Sequence, residues 1–246
     1  MEKMSHESDT VFYFTEIQHA FNNIKRDRIK LSRLREVNDP FEARPTDFSD
    51  HETRGTWHHL KKCIDSRFPF ICFSKSFRSP LMWAHYARRN YGCCVEYQIK
   101  KYCNDEYKLL DIEYRSFVDY PAIHVGENFA KISISDAAKF LSIKNSCWRY
   151  EKERRLLVSR NKTGISEEDG HLFINNKEFM NPTRIILGYR SDNDMSKFNN
   201  LKELAEKNEI ELIYTKPALR GNRIVHDESK NIKLKQILKD NEKNQA

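Results

Sequence analysis

The chain contains little glycine or proline and no long apolar run. Its 246 residues include only 7 Gly and 7 Pro, which argues against collagen-like repeats and long flexible linkers. No apolar stretch approaches the about 20 residues that a membrane-spanning helix needs. The opening residues, MEKMSHESDT, lack the apolar segment of a signal peptide. These absences predict a cytoplasmic protein that has no membrane partner.

The motifs of several large enzyme classes are also missing. The chain has no G-x-x-x-x-G-K-[ST], G-x-G-x-x-G, H-E-x-x-H or G-x-S-x-G, so P-loop enzymes, Rossmann dehydrogenases and zinc hydrolases lack their usual signs. Its six cysteines include no C-x-x-C, and the adjacent Cys93 and Cys94 are poorly placed for a disulfide, which favours reduced thiols over a metal site. A Cys72 nucleophile with His85 as its base stays open, although the spacing does not require it.

The charge balance is basic. Lys and Arg number 43 against 36 Asp and Glu, which gives a net charge of +7 and a pI near 9.0. Such an excess favours a polyanionic partner, either a nucleic acid or a phosphate-bearing cofactor. The clusters best able to hold phosphates are Arg88-Arg89, Arg154-Arg155 and the KPALRGNR segment, and each could equally be an ordinary solvated surface.

Hydrophobic periodicity predicts strands and helices without regular alternation, which indicates an α+β fold with a sheet split around a cleft. Strands are predicted at TVFYFTE, IKLSRL, FPFICFSKS, CCVEYQI, YKLLDIEYRSF, RRLLVSR, TRIILGY and IELIYTKPAL. Helices are predicted at IQHAFNNIKRDR, ETRGTWHHLKKCIDSR, SPLMWAHYARRNYG, SISDAAKFLSIKNSCW, DMSKFNNLKELAEKNE and KNIKLKQILKDNEKNQA. We expect one domain over residues 1–230 and a helical tail over residues 231–246.

Two segments concentrate more aromatic and charged side chains than a core requires. In SPLMWAHYARRNYG, Ser79 is the expected N-cap, Pro80 the first helical residue and Gly92 the stop. Its Trp83 is expected to anchor the core. In CWRYEKERRLLV, the residues Glu151, Glu153 and Arg155 alternate and would share one face of a strand. The Arg, or a cationic substrate, would offset the repulsion of the two carboxylates, although a solvent-exposed, salt-bridged edge fits the same pattern.

Four blocks, N-D-P-F-E (38–42), C-F-S (72–74), M-W-A-H-Y-A (82–87) and Y-E-x-E-x-R (150–155), resemble an uncharacterised bacterial domain family often found near phage-defence genes. Their order is similar to that of the DarT-like ADP-ribosyltransferase toxins. FYFTE resembles the Y-H-x-T-H of those toxins, SFRSPLM resembles their P-R-S-P-M, and ERRLLV resembles their strand-borne Glu. Tyr13 stands where those toxins have His.

The resemblance implies an NAD-dependent ADP-ribosyltransferase of the split-sheet fold, with NAD as co-substrate, peripheral helices and no metal. It implies a toxin or anti-phage effector that modifies RNA or single-stranded DNA, with an antitoxin or chaperone as a further partner. Glu153 and Tyr13 would be catalytic, and Glu151 and Arg154 would contact the acceptor. The residues implied for NAD binding are Thr15, Arg33, Arg35, Asn38, Asp39, Ser74, Arg78, His85 and Tyr86.

The reaction breaks the bond between nicotinamide and ribose through an oxocarbenium-like transition state, which a carboxylate stabilises in glycosidases. On the resemblance, Glu153 would accept a hydrogen bond from the ribose 2′-hydroxyl. Three alternatives remain at this point. They are a protein-directed ADP-ribosyltransferase, a non-catalytic module that binds a nucleotide or nucleic acid, and a metal-independent nuclease that uses His85 or His124.

Overall fold

The computed structural model describes residues 9–43, 51–100, 106–116, 132–177, 179–193 and 195–232. The chain divides into two compact units, each mixing strands and helices, which confirms the α+β class. Unit 1 comprises Asp27–Lys75 and Lys100–Phe179. Unit 2 comprises Asp9–Arg26, Ser76–Ile99 and the chain from Met180 onward.

Unit 2 is built around a mixed sheet in which β4 (Cys93–Ile99) pairs antiparallel with both of its neighbours. Its strands are β1 (Asp9–Thr15), β4 (Cys93–Ile99), β11 (Met180–Leu187), β12 (Glu211–Pro217) and β13 (Ile224–His226), hydrogen-bonded in the order β13-β12-β11-β4-β1. Its helices are α1 (Ile17–Lys25), α3 (Pro80–Tyr86) and α5 (Met195–Lys207). Strands β11 and β12 are parallel because α5 connects them, as in a βαβ unit. The β4–β11 ladder shifts register between Pro182 and Arg184, a bulge that tolerates a residue without an N–H.

In its described residues, unit 1 contains three small groups of strands and two α-helices. Its strands are β2 (Arg28–Leu31), β3 (Phe70–Ser74), β5 (Tyr107–Asp111), β6 (Glu113–Arg115), β7 (Ile143–Asn145), β8 (Glu153–Val158), β9 (Ile165–Glu168) and β10 (His171–Asn175). They pair in the orders β3-β8-β5, β2-β10-β9 and β6-β7. Its helices are α2 (His51–Arg67) and α4 (Ile134–Leu141). The core of unit 1 joins α2, α4 and the inner residues of β3 and β8, including Leu60, Ile64, Phe70, Leu141 and Leu157.

Helix α3 begins as predicted and ends earlier than predicted. Ser79 is the N-cap and Pro80 the first helical residue, which confirms both assignments. The helix stops at Tyr86, six residues before the expected stop at Gly92. After it the chain enters a left-handed 3₁₀ turn over Arg88–Asn90.

The helix predicted over residues 133–148 is correct only in its first half. Ser133 accepts a hydrogen bond from the Asp136 N–H, and Asp136 bonds back to Ser133, which is a capping box. The helix ends at Leu141, and the chain continues as β7 and a 3₁₀ helix over Ser146–Glu151. The tail predicted over residues 231–246 lies, from residue 233 on, outside the described residues.

Candidate functional site

The pairing of β3 with β8 carries polar side chains into the interior of unit 1. In this antiparallel ladder Ser74 lies opposite Glu153, and Cys72 lies opposite Arg155. The Ser74 hydroxyl donates to the carbonyl of Glu151 at 2.6 Å, which ties the end of β3 to the residue that precedes β8 by two positions. Because side chains two residues apart on a strand share a face, Glu153 and Arg155 point the same way, as the sequence predicts.

Arg155 is a deeply buried charge in this unit, with its side chain only 1% exposed. Its Nε donates to Glu153 Oε1 at 2.8 Å, and its Nη1 donates to Glu42 Oε1 at 2.9 Å and to the Leu141 carbonyl at 3.0 Å. The guanidinium carbon lies 4.6 Å from the centre of the Phe70 ring. Hydrogen bonds, ion pairs and a ring face therefore replace the water that this cation loses on burial.

Lys144, from β7, is the second cation. Its Nζ lies 2.6 Å from Glu151 Oε2, 2.9 Å from Glu153 Oε2 and 3.9 Å from Glu42 Oε2. Three buried carboxylates thus surround two buried cations, and the group carries one excess negative charge in formal terms. We call these five residues the charge cluster: Glu42, Lys144, Glu151, Glu153 and Arg155.

The charges around Glu153 and Lys144 shift the pKa of each towards its charged form. Burial would raise the pKa of Glu153, but the charges of Arg155 and Lys144 outweigh burial and lower that pKa to about 2. Burial would lower the pKa of Lys144, but the carboxylates around it raise that pKa above its ordinary value. The thiol of Cys72 hydrogen-bonds to Glu153, and burial and the Glu153 charge raise its pKa well above the ordinary value. Cys72 is therefore a neutral thiol, and the Cys72 nucleophile loses its basis.

Two buried carboxylate oxygens, one on Asp39 and one on the cluster residue Glu42, have no hydrogen-bond donor in the described residues. Oδ2 of Asp39 and Oε2 of Glu42 are buried, and neither accepts a hydrogen bond within the part of the chain that the structure describes. The other oxygen of Asp39 accepts from the Phe41 N–H at 2.9 Å, which confirms the turn predicted at N-D-P-F-E. A buried acceptor without a donor is costly, so both oxygens could accept a ligand hydroxyl.

Three partly exposed aromatic side chains adjoin the cluster, and we call them the aromatic rim: Tyr114, Trp148 and Tyr150. The Tyr114 hydroxyl accepts from the Glu153 N–H at 2.7 Å. The Trp148 ring centre lies 4.9 Å from Lys144 Nζ and 6.1 Å from the Tyr150 ring. The rim offers flat surfaces to a planar ligand beside the cluster.

The structure gathers some predicted site residues of unit 1 and separates others. Ser74, Glu151 and Glu153 meet at the cluster. Glu151 reaches it from a 3₁₀ helix, so its predicted position on the strand is wrong, because left-handed Lys152 (φ 47°) intervenes.

The predicted arginines of unit 1 bind other carboxylates. Arg33 pairs with Glu167 at 2.7 Å, Arg35 with Asp65 at 3.2 Å, and Arg154 with Asp111 at 2.8 Å. Asn38 is exposed in the turn that holds Asp39.

The remaining predicted residues belong to unit 2. Tyr13 and Thr15 lie on β1, opposite Val95 and Cys93 of β4, and Thr15 is buried. Arg78 is exposed, and its carbonyl accepts from the Ile224 N–H at 2.9 Å.

On helix α3, the ring centres of His85 and Tyr86 are 6.2 Å apart. Trp83 is fully buried and donates from its indole N–H to the Phe77 carbonyl at 2.6 Å, which confirms its role as a core anchor. His124, the other histidine of the nuclease alternative, lies outside the described residues.

Sequence reasoning missed three cluster or rim residues and left a fourth without a role. Lys144, Trp148 and Tyr114 were not singled out, and Glu42 was quoted only as the end of N-D-P-F-E. Lys144 lay inside a predicted helix, and no local pattern shows that a lysine will meet glutamates from three other segments. The one available signal was the Glu-rich Y-E-x-E-x-R block, which needs buried cations to fold inward.

Residues 82–156 match a family described as "Protein of unknown function (DUF2971)". The match begins at the M-W-A-H-Y-A block and ends just beyond the Y-E-x-E-x-R block, and it supports the resemblance to an uncharacterised domain family. It includes four of the five cluster residues, and Glu42 lies outside it. No curated protein and no solved structure matches the chain.

Two properties of the described residues bear on membranes and metals. No helix there combines the length and the apolar character that crossing a membrane requires. In the same residues, no group of three or more His, Cys, Asp or Glu side chains is arranged to hold a metal ion. The carboxylates of the cluster surround Lys144 and Arg155 instead.

Proposed function

We propose that the protein is an NAD-dependent ADP-ribosyltransferase that acts as a toxin or anti-phage effector on single-stranded nucleic acid. The observation that carries the proposal is the charge cluster, in which Glu153, the residue that the resemblance makes catalytic, is a buried carboxylate that is ionised at neutral pH. The one excess negative charge of the cluster favours a ligand that carries or develops positive charge. NAD does both, since its nicotinamide is cationic and its ribose becomes oxocarbenium-like as the bond breaks.

The reaction assigns a limited task to Glu153. The bond between ribose C1′ and the nicotinamide nitrogen breaks, its electron pair goes to that nitrogen, and nicotinamide leaves as a neutral molecule. A nucleophile of the acceptor then bonds to C1′ and loses its proton. A carboxylate with a pKa of about 2 is a weak base, so Glu153 stabilises positive charge, and the proton passes to solvent.

Binding of the ribose requires a change of partners at the cluster. Both oxygens of Glu153 are bonded, Oε1 to Arg155 and Oε2 to Lys144. In the proposed complex the ribose 2′-hydroxyl replaces Lys144 at Oε2, and Lys144 keeps Glu151 as its partner at 2.6 Å. Oε2 of Glu42, which accepts no hydrogen bond in the described residues and lies 3.9 Å from Lys144 Nζ, accepts a second ribose hydroxyl. The aromatic rim contacts the nicotinamide ring, mainly through Trp148.

The basic composition supports a nucleic-acid acceptor over a protein acceptor. A net charge of +7 raises the local concentration of polyanions at the surface. The resemblance also implies a split-sheet NAD cleft and gives Tyr13 a catalytic role and Thr15 a role in NAD binding. The proposal includes these roles.

The test is nicotinamide release from NAD by the purified protein, with and without single-stranded RNA or DNA. We expect release by the wild type and a loss of at least about 100-fold in Glu153→Gln, because one stabilising charge is removed. Breaking a buried ion pair can unfold a protein, so thermal melting is measured alongside. Trp148→Ala, a change at a partly exposed ring, is the second variant and should raise KM for NAD while the protein stays folded. A wild type that releases no nicotinamide, or a folded Glu153→Gln as active as wild type, refutes the proposal.

A second candidate is favoured by one observation. Glu153 is 97% buried with both oxygens paired, as expected for a cluster that only stabilises the fold of a non-catalytic binding module. On that account the protein binds nucleotide or nucleic acid without consuming NAD. The nicotinamide assay separates the two functions directly.

A further inference from the structure

Unit 2 contains a cavity of about 520 Å³ with no place in the chemistry described above. It lies among the start of α1, the end of α3, the left-handed turn and the first turn of α5. Its lining includes the charged side chains of Glu16, Arg88, Arg89 and Lys197 and the aromatic side chains of His85 and Tyr91. The volume is in the range of sites that accept a nucleotide-sized group.

The lining carries more positive than negative charge. Arg88, Arg89 and Lys197 contribute three cations against the single carboxylate of Glu16. Arg88 lies 3.8 Å from Glu16, and their side chains are 58% and 47% exposed, so water screens this pair strongly. Arg89 is exposed, and within the described residues it makes no hydrogen bond or ion pair. The charge of Arg89 is therefore available to a ligand.

The backbone presents these arginines in a costly conformation. Arg88, Arg89 and Asn90 have φ angles of 46°, 54° and 71°, a left-handed run that L-residues other than glycine rarely adopt. The Asn90 carbonyl accepts from the Arg190 N–H at 3.1 Å. A Cβ at Gly188 would overlap that carbonyl, so glycine is required there. The surrounding backbone therefore holds the turn in place. The turn itself fixes the positions of the Cα atoms of Arg88 and Arg89.

Aromatic side chains stand next to the cations. Tyr91 is 39% exposed and lies under the guanidinium of Arg190 at 5.7 Å, and Arg190 also covers Tyr189 at 5.1 Å. Cations that follow a backbone, with exposed rings on which bases stack, form the usual surface for single-stranded nucleic acid.

We propose that this cavity binds the phosphodiester backbone of a single strand, with Arg88, Arg89 and Lys197 at the phosphates and Tyr91 stacked on a base. The inference rests on the proposed function in that it places the acceptor strand. Binding itself needs no NAD. A strand fits better than a free nucleotide because the cations come from two separate segments, the left-handed turn and α5, and can contact more than one phosphate.

The test is fluorescence anisotropy of a labelled single-stranded oligonucleotide, as RNA and as DNA, titrated with the full chain without NAD. Three phosphate contacts predict a log–log salt slope of about −2, since each contributes about −0.7 on a single strand. Arg89→Glu and Lys197→Glu should each weaken binding by about 10-fold or more and make the slope shallower. Lys207→Glu is the matched control, because it reverses the same charge on α5 about 15 Å further along the helix axis. It should bind nearly as well as wild type.

Several outcomes overturn the inference. If Arg89→Glu and Lys197→Glu melt and bind the strand as wild type does, the cavity takes no part in strand recognition. An equal loss in Lys207→Glu shows that net charge alone drives binding. Displacement of the strand by micromolar AMP shows that the cavity is a free-nucleotide site. A protein that binds strands through Arg89 but releases no nicotinamide refutes the proposed function only. One that cleaves NAD while strand binding ignores Arg89 refutes this inference only.

Discussion

The charge cluster of unit 1 and the basic cavity of unit 2 use charge in opposite ways. In the cluster no side chain is more than 8% exposed, and every charge has a partner of opposite sign. In the cavity the arginines stay in water, and Arg89 has no partner within the described residues. An unpaired charge loses its hydration on burial, and the free-energy cost is several kcal/mol, whereas a charge in contact with water can remain unpaired.

The difference separates two functional requirements. A site that stabilises a developing charge needs fixed charges in a medium of low polarity, which the cluster provides. A site that attracts a polyanion needs an excess of positive charge, and the lining of the cavity has three cations against one carboxylate. Changes in the cluster should therefore affect stability first, and changes in the cavity should affect binding first.

The largest effect should come from Arg155→Met. It leaves Glu42 and Glu153 with one cation in place of two, and we expect a loss of about 3–5 kcal/mol in the free energy of unfolding. The measurement is chemical denaturation monitored by circular dichroism.

The adjacent Arg154→Met is the matched control. Arg154 pairs with Asp111, whose side chain is 58% exposed, and exposed pairs contribute at most about 1 kcal/mol. If both variants lose the same stability, burial does not distinguish the cluster from the surface of the same strand.

The second effect is a loss of stability in acid. The pKa of Glu153 is lowered from 4.5 to about 2, so its stabilising contribution is complete above about pH 4.5 and disappears as the pH falls from there to about 2. A shift of this size corresponds to about 3 kcal/mol. Denaturation between pH 7 and pH 3 should show a steeper fall for wild type than for Glu153→Gln. Parallel curves would mean that Glu153 titrates alike in the folded and unfolded protein.

The third effect concerns the rigid turn at the cavity. In Gly188→Ala the new Cβ would overlap backbone atoms of Asn90, which cannot move aside, so we expect a loss of about 2 kcal/mol. Gly55→Ala is the control, because Gly55 lies in α2 with open space around it and alanine should stabilise the helix by up to about 1 kcal/mol. Thermal melts of both variants measure the contrast. A neutral Gly188→Ala would show that the turn yields easily.

The smallest effect should be that of Arg89→Met on stability. Arg89 is exposed and, in the described residues, unpaired, so the free energy of unfolding should change by less than about 0.5 kcal/mol. The free energy of unfolding of Arg89→Met should therefore be well above that of Arg155→Met. A loss near that of Arg155→Met would place Arg89 in the folded framework.

Local patterns predicted the elements better than the contacts between them. The spacing of Ile17, Ala20 and Ile24 predicted α1, which buries that stripe. The apolar and aromatic residues of CCVEYQI predicted β4, in which every residue but Gln98 is buried. Ser79 and Pro80 marked the start of α3 because they act on neighbouring backbone groups.

Long-range charge pairing was beyond those patterns. Ile143 and Lys144 continue a helical pattern, but the structure places Lys144 on a strand. There it meets Glu42 from a distant segment and two glutamates from the 3₁₀ helix and strand that follow. Likewise, Y-E-x-E-x-R predicted carboxylates on one side, but only the folded chain shows that Lys152 turns left-handed and that Glu151 joins from a 3₁₀ helix. The identity of the partners depends on tertiary structure, so sequence spacing alone could not provide it.

The most direct test of the account is the mass of a single-stranded oligonucleotide after incubation with the protein and NAD. The account predicts a product heavier by one ADP-ribose with wild type, and an unmodified strand with folded Glu153→Gln. A strand that stays unmodified with wild type under conditions where it binds, with NAD intact, would contradict the claim that the buried carboxylate of unit 1 performs ADP-ribosyl transfer.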